Sequence, residues 1–271
     1  MPELPEVETT RRGLAPHLEG RKVAQVLVRE PRLRWPVPPT LAERLTGQRL
    51  RQISRRGKYL LFGFPNGTLI VHLGMSGSLR IVARNTKPQK HDHFDLLMSG
   101  GKCLRLRDPR RFGAVLWTEA PPTEHSLLAH LGPEPLDEAF HGDYLHQQGR
   151  HRKVSIKQLI MDSKIVVGVG NIYANESLFR AGIHPGRASN RISRSRYESL
   201  AAAIKAVLQA AIIQGGTTLR DFQREDGQPG YFAQELQVYG KAGAPCPACG
   251  TTLKGSTLGQ RSTTHCPHCQ R

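Results

Sequence analysis

Apolar positions follow two different patterns along the chain, and the change falls near residue 120. Residues 3–14 have helical spacing, with Pro5 in the first turn, where proline suits a helix. Between about residues 22 and 118 the apolar runs are short and separated by turn signals, which is typical of a β-sandwich or barrel. The predicted strands are 22–28, 50–53, 59–64, 68–73, 94–98, 103–106 and 114–117.

A stretch that contains several prolines and glycines, residues 119–143, precedes a second half with helical spacing, and we place a domain boundary inside it. Residues 155–181 are interpreted as two helices around a glycine-rich turn, a layout that resembles helix-turn-helix. Ser195 and Glu198 form a capping box, which predicts the start of a longer helix that ends before Gly215.

The net charge of the chain indicates what kind of partner it binds. The chain of 271 residues carries a formal net charge of +17 and has a pI near 10.2, which indicates a polyanion, and nucleic acid is the default. No apolar run approaches the roughly 18 residues of a membrane span. The first residues lack the basic start and apolar stretch of a signal peptide, so we expect a cytoplasmic protein with no membrane partner.

Four cysteines give the most specific local signal. Cys246 and Cys249 form one C-x-x-C pair, Cys266 and Cys269 form another, and this spacing predicts a closed tetrahedral zinc site with a structural role. Two disulfides or free thiols are the alternatives. We interpret His265 and His268 as bystanders, and Cys103 as a buried strand residue.

Basic residues cluster at two places in the second half. No aspartate or glutamate occurs from Lys241 to Arg271, and Arg261 lies between the two cysteine pairs, where a zinc-held hairpin would have its tip. Arg152 belongs to a basic run at 150–153 that precedes a predicted helix and can bind phosphates. Solvated charged segments are the alternative interpretation for both.

Two turns in the first half present basic and apolar side chains together. Arg110 and Phe112 lie on the turn 108–113, and Met75 lies on another turn, where such side chains can fill a gap in stacked bases. An ordinary loop with a core phenylalanine is the alternative. We assign phosphate contact to His91, and hydrogen bonding within the fold to His93, in preference to a metal site.

The second residue offers a reactive amine. Removal of Met1 would expose the secondary amine of Pro2, and an α-amino group with a pKa near 7.7–8.0 is partly unprotonated at neutral pH. Such an amine forms an iminium at a sugar C1′, and Glu3 beside it can move protons at the sugar ring oxygen. A merely trimmed N-terminus is the alternative, and a retained Met1 would block the chemistry.

These residues together resemble the bacterial formamidopyrimidine-DNA glycosylase family. The resemblance runs in order from one end of the chain to the other. It rests on MPELPEVET at 1–9, GKYL at 57–60, HLGMSGSL at 72–79, KHDH at 90–93, DPRRFG at 108–113, GVGNIYANE at 168–176, GYFAQEL at 230–236 and the four-cysteine finger.

The resemblance implies an α+β fold in three parts. Residues 1–130 would form a catalytic β-sandwich with a leading helix, 131–236 a helical domain with a helix-two-turn-helix, and 237–271 a zinc finger with one structural zinc ion. It also implies a monomer that acts on double-stranded DNA containing damaged bases. The implied activity is excision of 8-oxoguanine and formamidopyrimidines followed by cutting of the strand in base excision repair.

The resemblance assigns roles to individual residues. Pro2 would be the Schiff-base nucleophile, Glu3 a proton donor, Lys58 the donor for β-elimination and Arg261 the donor for δ-elimination. The void-filling residues would be Met75, Arg110 and Phe112, and the phosphate contacts His91, Arg110, Asn171 and the segment around Arg152. Residues 217–231 would close on the damaged base.

Two other functions compete with this interpretation. Endonuclease VIII shares the fold and nucleophile but removes oxidised pyrimidines, and Leu4 together with the loop 215–230 favours the purine enzyme. A non-catalytic zinc protein that binds DNA would explain the charge and the finger, but not Pro2, Glu3 and Lys58 together.

Overall fold

Two antiparallel four-stranded sheets make up most of the first half of the computed structural model, which describes residues 2–215 and 236–271. One sheet has the strand order β1-β6-β7-β5 and the other has the order β2-β3-β4-β8. The strands are β1 (Val23–Val28), β2 (Gln52–Arg56), β3 (Tyr59–Phe64), β4 (Gly67–His72), β5 (Ser78–Ala83), β6 (Asp92–Met98), β7 (Lys102–Arg107) and β8 (Ala114–Thr118).

The inner faces of the two sheets share one hydrophobic core. Leu96 and Leu104 come from one sheet, Phe62 and Leu69 come from the other, and all four side chains are fully buried in the same cluster. Two sheets packed over a common apolar layer form a sandwich, so the predicted α+β class with an N-terminal β-sandwich is confirmed.

Two helices accompany the sandwich, α1 (Leu4–Leu18) and the short α2 (Leu41–Leu45). Helix α1 runs four residues beyond its predicted end, with Pro16 inside it. Leu14 and Leu18 are one helical turn apart and both fully buried, so burial extends the helix past the point where the sequence pattern weakens.

The strand predictions differ from the structure at two places. Strand β2 lies at Gln52–Arg56, further along the chain than predicted, and β5 was not predicted at all. Three of the six residues of β5 are partly buried and one is exposed, and the apolar pair Ile81-Val82 breaks the alternation of apolar and polar positions by which a strand is recognised.

The second half is helical up to Ile213 and ends in a β-hairpin. Its elements are α3 (Gly142–Gly149), α4 (Ile156–Met161), α5 (Asn171–Arg180), α6 (Arg194–Ile213), β9 (Lys254–Leu258) and β10 (Arg261–His265). Helices α4 and α5 flank the predicted turn, with Ser155 as N-cap of α4, so the helix-two-turn-helix layout is confirmed. The predicted cap Ser195 was wrong, because α6 begins at Arg194 and Ser195 lies inside the helix.

The described residues divide into two units, each with its own core. One contains the residues up to Ala129 together with 214–215, and the other contains His130–Ile213 and 236–271. In the described part, no helix combines the length and apolar character that crossing a bilayer requires. A separate zinc-finger domain from residue 237 stays a prediction.

Candidate functional site

Pro2 and Glu3 are buried directly before α1. Glu3 is the N-cap of the helix, and its backbone N–H donates to Oε2 of Glu6 at 2.8 Å as half of a capping box. Glu6 is itself fully buried. A buried carboxylate that holds the N-cap amide fixes the backbone at this point, and with it the position of Pro2.

Lys58 lies in the two-residue turn between β2 and β3, which is closed by the pairing of Arg56 with Tyr59. Gly57 precedes it with a φ of 57°, a left-handed conformation that glycine adopts without steric cost. The hairpin therefore presents the lysine at its tip.

His72 lies near Lys58, and sequence reasoning did not single out this histidine. Burial lowers the pKa of His72 to about 4, with further lowering from the cations of Lys58 and Arg34, so the ring is neutral at physiological pH. Its Nδ1 accepts a hydrogen bond from the N–H of Gly74 at 3.0 Å, which leaves the ring proton on Nε2. The motif HLGMSGSL begins with this residue, but nothing in the sequence pattern indicated that burial would keep its ring neutral.

The predicted DNA-contacting turns are held together by Asp108, which is fully buried. Its Oδ1 accepts from the hydroxyl of Ser76 at 3.0 Å, and its Oδ2 accepts from the N–H of Gly113 at 2.7 Å. Its backbone N–H donates to the carbonyl of His91 at 3.0 Å. His93 bonds the Asp108 carbonyl at 2.9 Å, as expected of a fold-stabilising histidine. Asp108 thus connects the turns of Met75, Arg110 and Phe112 through its carboxylate, and the turn of His91 through its backbone.

Gly74 brings two of these turns into close approach. Its φ is +63°, and a Cβ placed on it would lie 2.4 Å from the carbonyl carbon of Phe112. Only glycine fits this contact, which places partly buried Met75 beside the turn of Phe112. Phe112 is 44% exposed, unusual for a phenylalanine, and the guanidinium of Arg110 lies 4.8 Å from its ring centroid.

The same turn borders a cavity of about 690 Å³ with a positive lining. Four of its six lining residues are arginines. The carboxylate of Glu30 pairs with two of them, Arg32 at 2.8 Å and Arg111 at 3.2 Å. One carboxylate among four guanidiniums leaves the cavity strongly cationic, which suits a phosphate-bearing ligand. The lining residues are Arg32, Leu33, Arg34, Arg110, Arg111 and Phe112.

In the second unit, α4 and α5 hold the hairpin strand β10, at whose start Arg261 is exposed. Lys157 is fully buried, and its Nζ donates to the carbonyl of Ser262 and to the hydroxyl of Thr263, both at 2.7 Å. Nδ2 of Asn171 donates to the Ser262 hydroxyl at 3.1 Å. The structure therefore brings Asn171 and Arg261 to one neighbourhood, and Lys157 is a residue that sequence reasoning missed.

Two further segments of this unit are anchored by their backbones. The exposed Arg152 has its N–H bonded to Gly149 at 2.9 Å and its carbonyl to Asn190 at 3.0 Å, while the neighbouring residues 150–153 are all exposed. The Glu176 carboxylate accepts the backbone N–H groups of residues 237–239 at 2.8–3.0 Å. That segment follows the predicted base-closing loop, residues 217–231, which lies outside the described residues.

The four predicted cysteines have the geometry of a zinc site. Their ligand atoms all lie within 4.8 Å of one another, and two of the Sγ···Sγ distances are 3.5 and 4.0 Å. A tetrahedron with Zn–S bonds of about 2.3 Å has edges of about 3.8 Å, so the donor set fits zinc. Four thiolates leave no open position. Cys246, Cys249, Cys266 and Cys269 therefore hold one structural zinc ion.

Family models match most of the chain. The model of the formamidopyrimidine-DNA glycosylase N-terminal domain matches residues 1–115, that of the H2TH domain of the same enzyme matches 131–223, and that of the zinc finger found in FPG and IleRS matches 243–271. The formamidopyrimidine-DNA glycosylases of Methylococcus capsulatus and Pseudomonas putida are 61% and 59% identical, each over 271 residues covering both chains completely.

Solved structures agree with the family models. The Fpg protein of Thermus thermophilus has a TM-score of 0.89 at 38% identity, covering 99% of this chain and 98% of its own. A variant of Lactococcus lactis Fpg in complex with Fapy-dG-containing DNA has a TM-score of 0.93 at 35% identity, covering both chains completely. Whole-length matches of this kind exclude the non-catalytic zinc protein. The chain belongs to the formamidopyrimidine-DNA glycosylase family and is a DNA-repair glycosylase with AP lyase activity.

Proposed function

We propose that this enzyme excises oxidised purines, 8-oxoguanine and formamidopyrimidines, from duplex DNA, and that the amine of Pro2 is its nucleophile. The observation that carries the proposal is the fixed, buried position of Pro2 and Glu3 at the start of α1. The Lactococcus lactis relatives crystallised with Fapy-dG-containing DNA and with DNA that contains an abasic site support the substrate class.

The proposed chemistry begins at C1′ of the damaged nucleotide. The lone pair of the Pro2 amine forms a bond to C1′ as the glycosidic bond breaks, and the base leaves with the electron pair and takes up the proton that the Pro2 nitrogen releases. Glu3 donates a proton to the ring oxygen as the sugar opens. The resulting iminium cannot lose a proton from nitrogen, because the amine is secondary. It therefore remains an electron sink.

Two eliminations then cut the strand. Loss of a C2′ proton expels the 3′ phosphate, and a second elimination expels the 5′ phosphate, after which water hydrolyses the iminium and frees Pro2. We assign Lys58 as proton donor for the first elimination and Arg261 for the second. An ordinary lysine has a pKa near 10.4 and so arrives protonated at neutral pH.

We assign the remaining residues to DNA. Met75, Arg110 and Phe112 would fill the space left by the flipped nucleotide. Two observations support this assignment: Phe112 is exposed, and Asp108 holds the turns that carry the three side chains. The phosphate contacts would be His91, Arg110, Arg152 and Asn171. We further propose that the enzyme acts as a monomer in the cytoplasm.

The second candidate is preference for oxidised pyrimidines. One relative, the Lactococcus lactis enzyme, was crystallised with DNA that contains an oxidised pyrimidine, which is the observation that favours this candidate. Single-turnover cleavage of matched duplexes that contain 8-oxoguanine or dihydrouracil decides between them. We expect faster cleavage of 8-oxoguanine, and the reverse order would contradict the proposed substrate class.

Borohydride trapping tests the nucleophile. A preparation verified by mass to begin at Pro2 should be reduced to a covalent complex with damaged DNA, and one verified to retain Met1 should not. Both preparations should bind a duplex with an abasic-site analogue to a similar extent, which controls for folding. Equal trapping of the two preparations would refute Pro2 as nucleophile.

A further inference from the structure

Glu8 lies on α1, the helix that directly follows Pro2 and Glu3, and is buried. Its Oε2 accepts a hydrogen bond from Nε of Arg55 at 3.3 Å, across 47 positions of sequence. Arg55 is on β2, and its own side chain is only 11% exposed. The pair therefore joins α1, which follows the proposed nucleophile Pro2, to β2, the strand that leads into the turn of Lys58.

Arg55 also contacts that turn directly. Its Nη1 donates to the carbonyl of Gly57 at 2.8 Å, and this carbonyl belongs to the peptide bond that connects Gly57 to Lys58. A guanidinium has donors in a fixed planar fork, so holding Glu8 with Nε and Gly57 with Nη1 fixes the distance between the two acceptors. Lysine, with a single ammonium group on a flexible chain, cannot reproduce this span.

The carboxylate of Glu8 stays ionised throughout the working pH range. Burial alone would raise its pKa, but hydrogen bonds from Arg11 and Arg12, with the added charge of Arg55, outweigh burial and lower the pKa to about 2. The connection between helix and turn is therefore independent of pH near neutrality.

Arg12 offers a matched comparison within the same cluster. Its Nε donates to Oε1 of Glu8 at 2.8 Å, but its side chain is 58% exposed. Loss of Arg12 removes one partner of Glu8, whereas a change at Arg55 removes a partner of Glu8 and the support of the turn together.

We propose that Glu8 and Arg55 are positioning residues that set where Lys58 stands relative to the amine of Pro2. The inference rests on the proposed function, because it needs Pro2 and Lys58 as the reacting pair. A displacement of about 1 Å at such a pair costs on the order of 100-fold in rate. Neither side chain needs to touch the DNA for this effect.

The test compares Arg55→Lys with Arg12→Lys at saturating enzyme. For Arg55→Lys we expect single-turnover cutting of a preformed abasic site to slow by about 10- to 100-fold, with affinity for an abasic-analogue duplex changed by less than about 3-fold. We also expect the covalent complex to form at the wild-type rate and to stay trappable by borohydride for longer, because imine formation precedes the slowed elimination. Arg12→Lys should behave as the wild type does.

A purely structural salt bridge gives a different pattern. In that case Arg55→Lys lowers the melting temperature, the affinity and the trapped fraction together, or it cuts as fast as Arg12→Lys. Either result overturns the proposal. If Arg55→Lys does not fold, Glu8→Gln serves the same comparison, since it keeps the shape and weakens the hold on Arg55. Failure of the wild type to be trapped at Pro2 would instead refute the proposed function.

Discussion

Replacing Asp108 with asparagine tests whether this carboxylate organises the surface that we assign to DNA contact. In the wild type its two oxygens accept from the Ser76 hydroxyl at 3.0 Å and from the Gly113 N–H at 2.7 Å. Asparagine has one acceptor oxygen and no charge. If that oxygen faces Gly113, the amide nitrogen faces Ser76, whose oxygen already accepts from the N–H of Arg110 at 3.3 Å.

The magnitude follows from the two hydrogen bonds. A hydrogen bond to a charged group contributes about 1.5–3 kcal/mol and a neutral one about 0.5–1.5 kcal/mol. Each of the two bonds therefore loses about 1–1.5 kcal/mol when the carboxylate becomes an amide, and the two together lose about 2–3 kcal/mol. At about 1.4 kcal/mol per factor of ten, this corresponds to a ceiling of roughly 30- to 100-fold in the population of the organised turns. The affinity for damaged DNA should fall by up to that factor, because binding must first restore the arrangement.

Fluorescence anisotropy with two duplexes measures the effect. Affinity for the abasic-analogue duplex should fall about 10- to 100-fold, while affinity for an undamaged duplex, which rests on charge, should change by less than about 3-fold. Asp137→Asn removes the same charge from an exposed side chain and should leave both affinities unchanged. Equal behaviour of the two variants would show that Asp108 does not organise the surface.

Three further predictions concern other parts of the molecule. Lys157→Met removes the two hydrogen bonds that the ammonium group donates to β10, at about 1.5–3 kcal/mol each, so hairpin amides should exchange hydrogen faster and strand cutting should slow. Unchanged exchange would contradict the role of Lys157. Removal of zinc by a strong chelator should lower the melting temperature and weaken DNA binding, and full binding by a variant with all four cysteines changed to serine would refute the structural role. The folded-state pKa of His72 is lowered to about 4 from 6.5, so the stability that its neutral ring contributes is present above pH 6.5 and is lost between pH 6.5 and 4, where the unfolded chain takes up the proton first. In thermal melts over that window, His72→Gln should therefore lose less stability than the wild type. An identical loss would refute the assignment.

The sequence predicted the elements and the zinc site well because these depend on local spacing. Two C-x-x-C pairs determine a tetrahedral site almost by themselves, and the strand β3 was found with its bounds correct. Strand β5 was missed because it is short and its apolar pair Ile81-Val82 breaks the alternation that marks a half-buried strand. The early start of α6 was missed for a different reason, since a serine followed three residues later by glutamate occurs both at caps and inside helices.

The supporting side chains of the site could not be read from the sequence. Asp108, Lys157 and Glu8 act through partners that are 32, 106 and 47 positions away, and no local pattern records such pairings. A buried lysine in particular looks like any surface lysine until the hairpin that it bonds is placed against it. The residues that we assign to DNA contact are indicated by their motifs, whereas the residues that hold them in place emerge only from the fold.

The most direct measurement for the account as a whole locates the covalent bond between enzyme and DNA. Enzyme reduced with borohydride on 8-oxoguanine duplex is digested with protease and nuclease, and the modified peptide is sequenced by mass spectrometry. The account predicts that the sugar-derived mass lies on the N-terminal peptide that begins with Pro2, attached to its nitrogen. A bond to Lys58 or to any other lysine, with Pro2 unmodified, would contradict it.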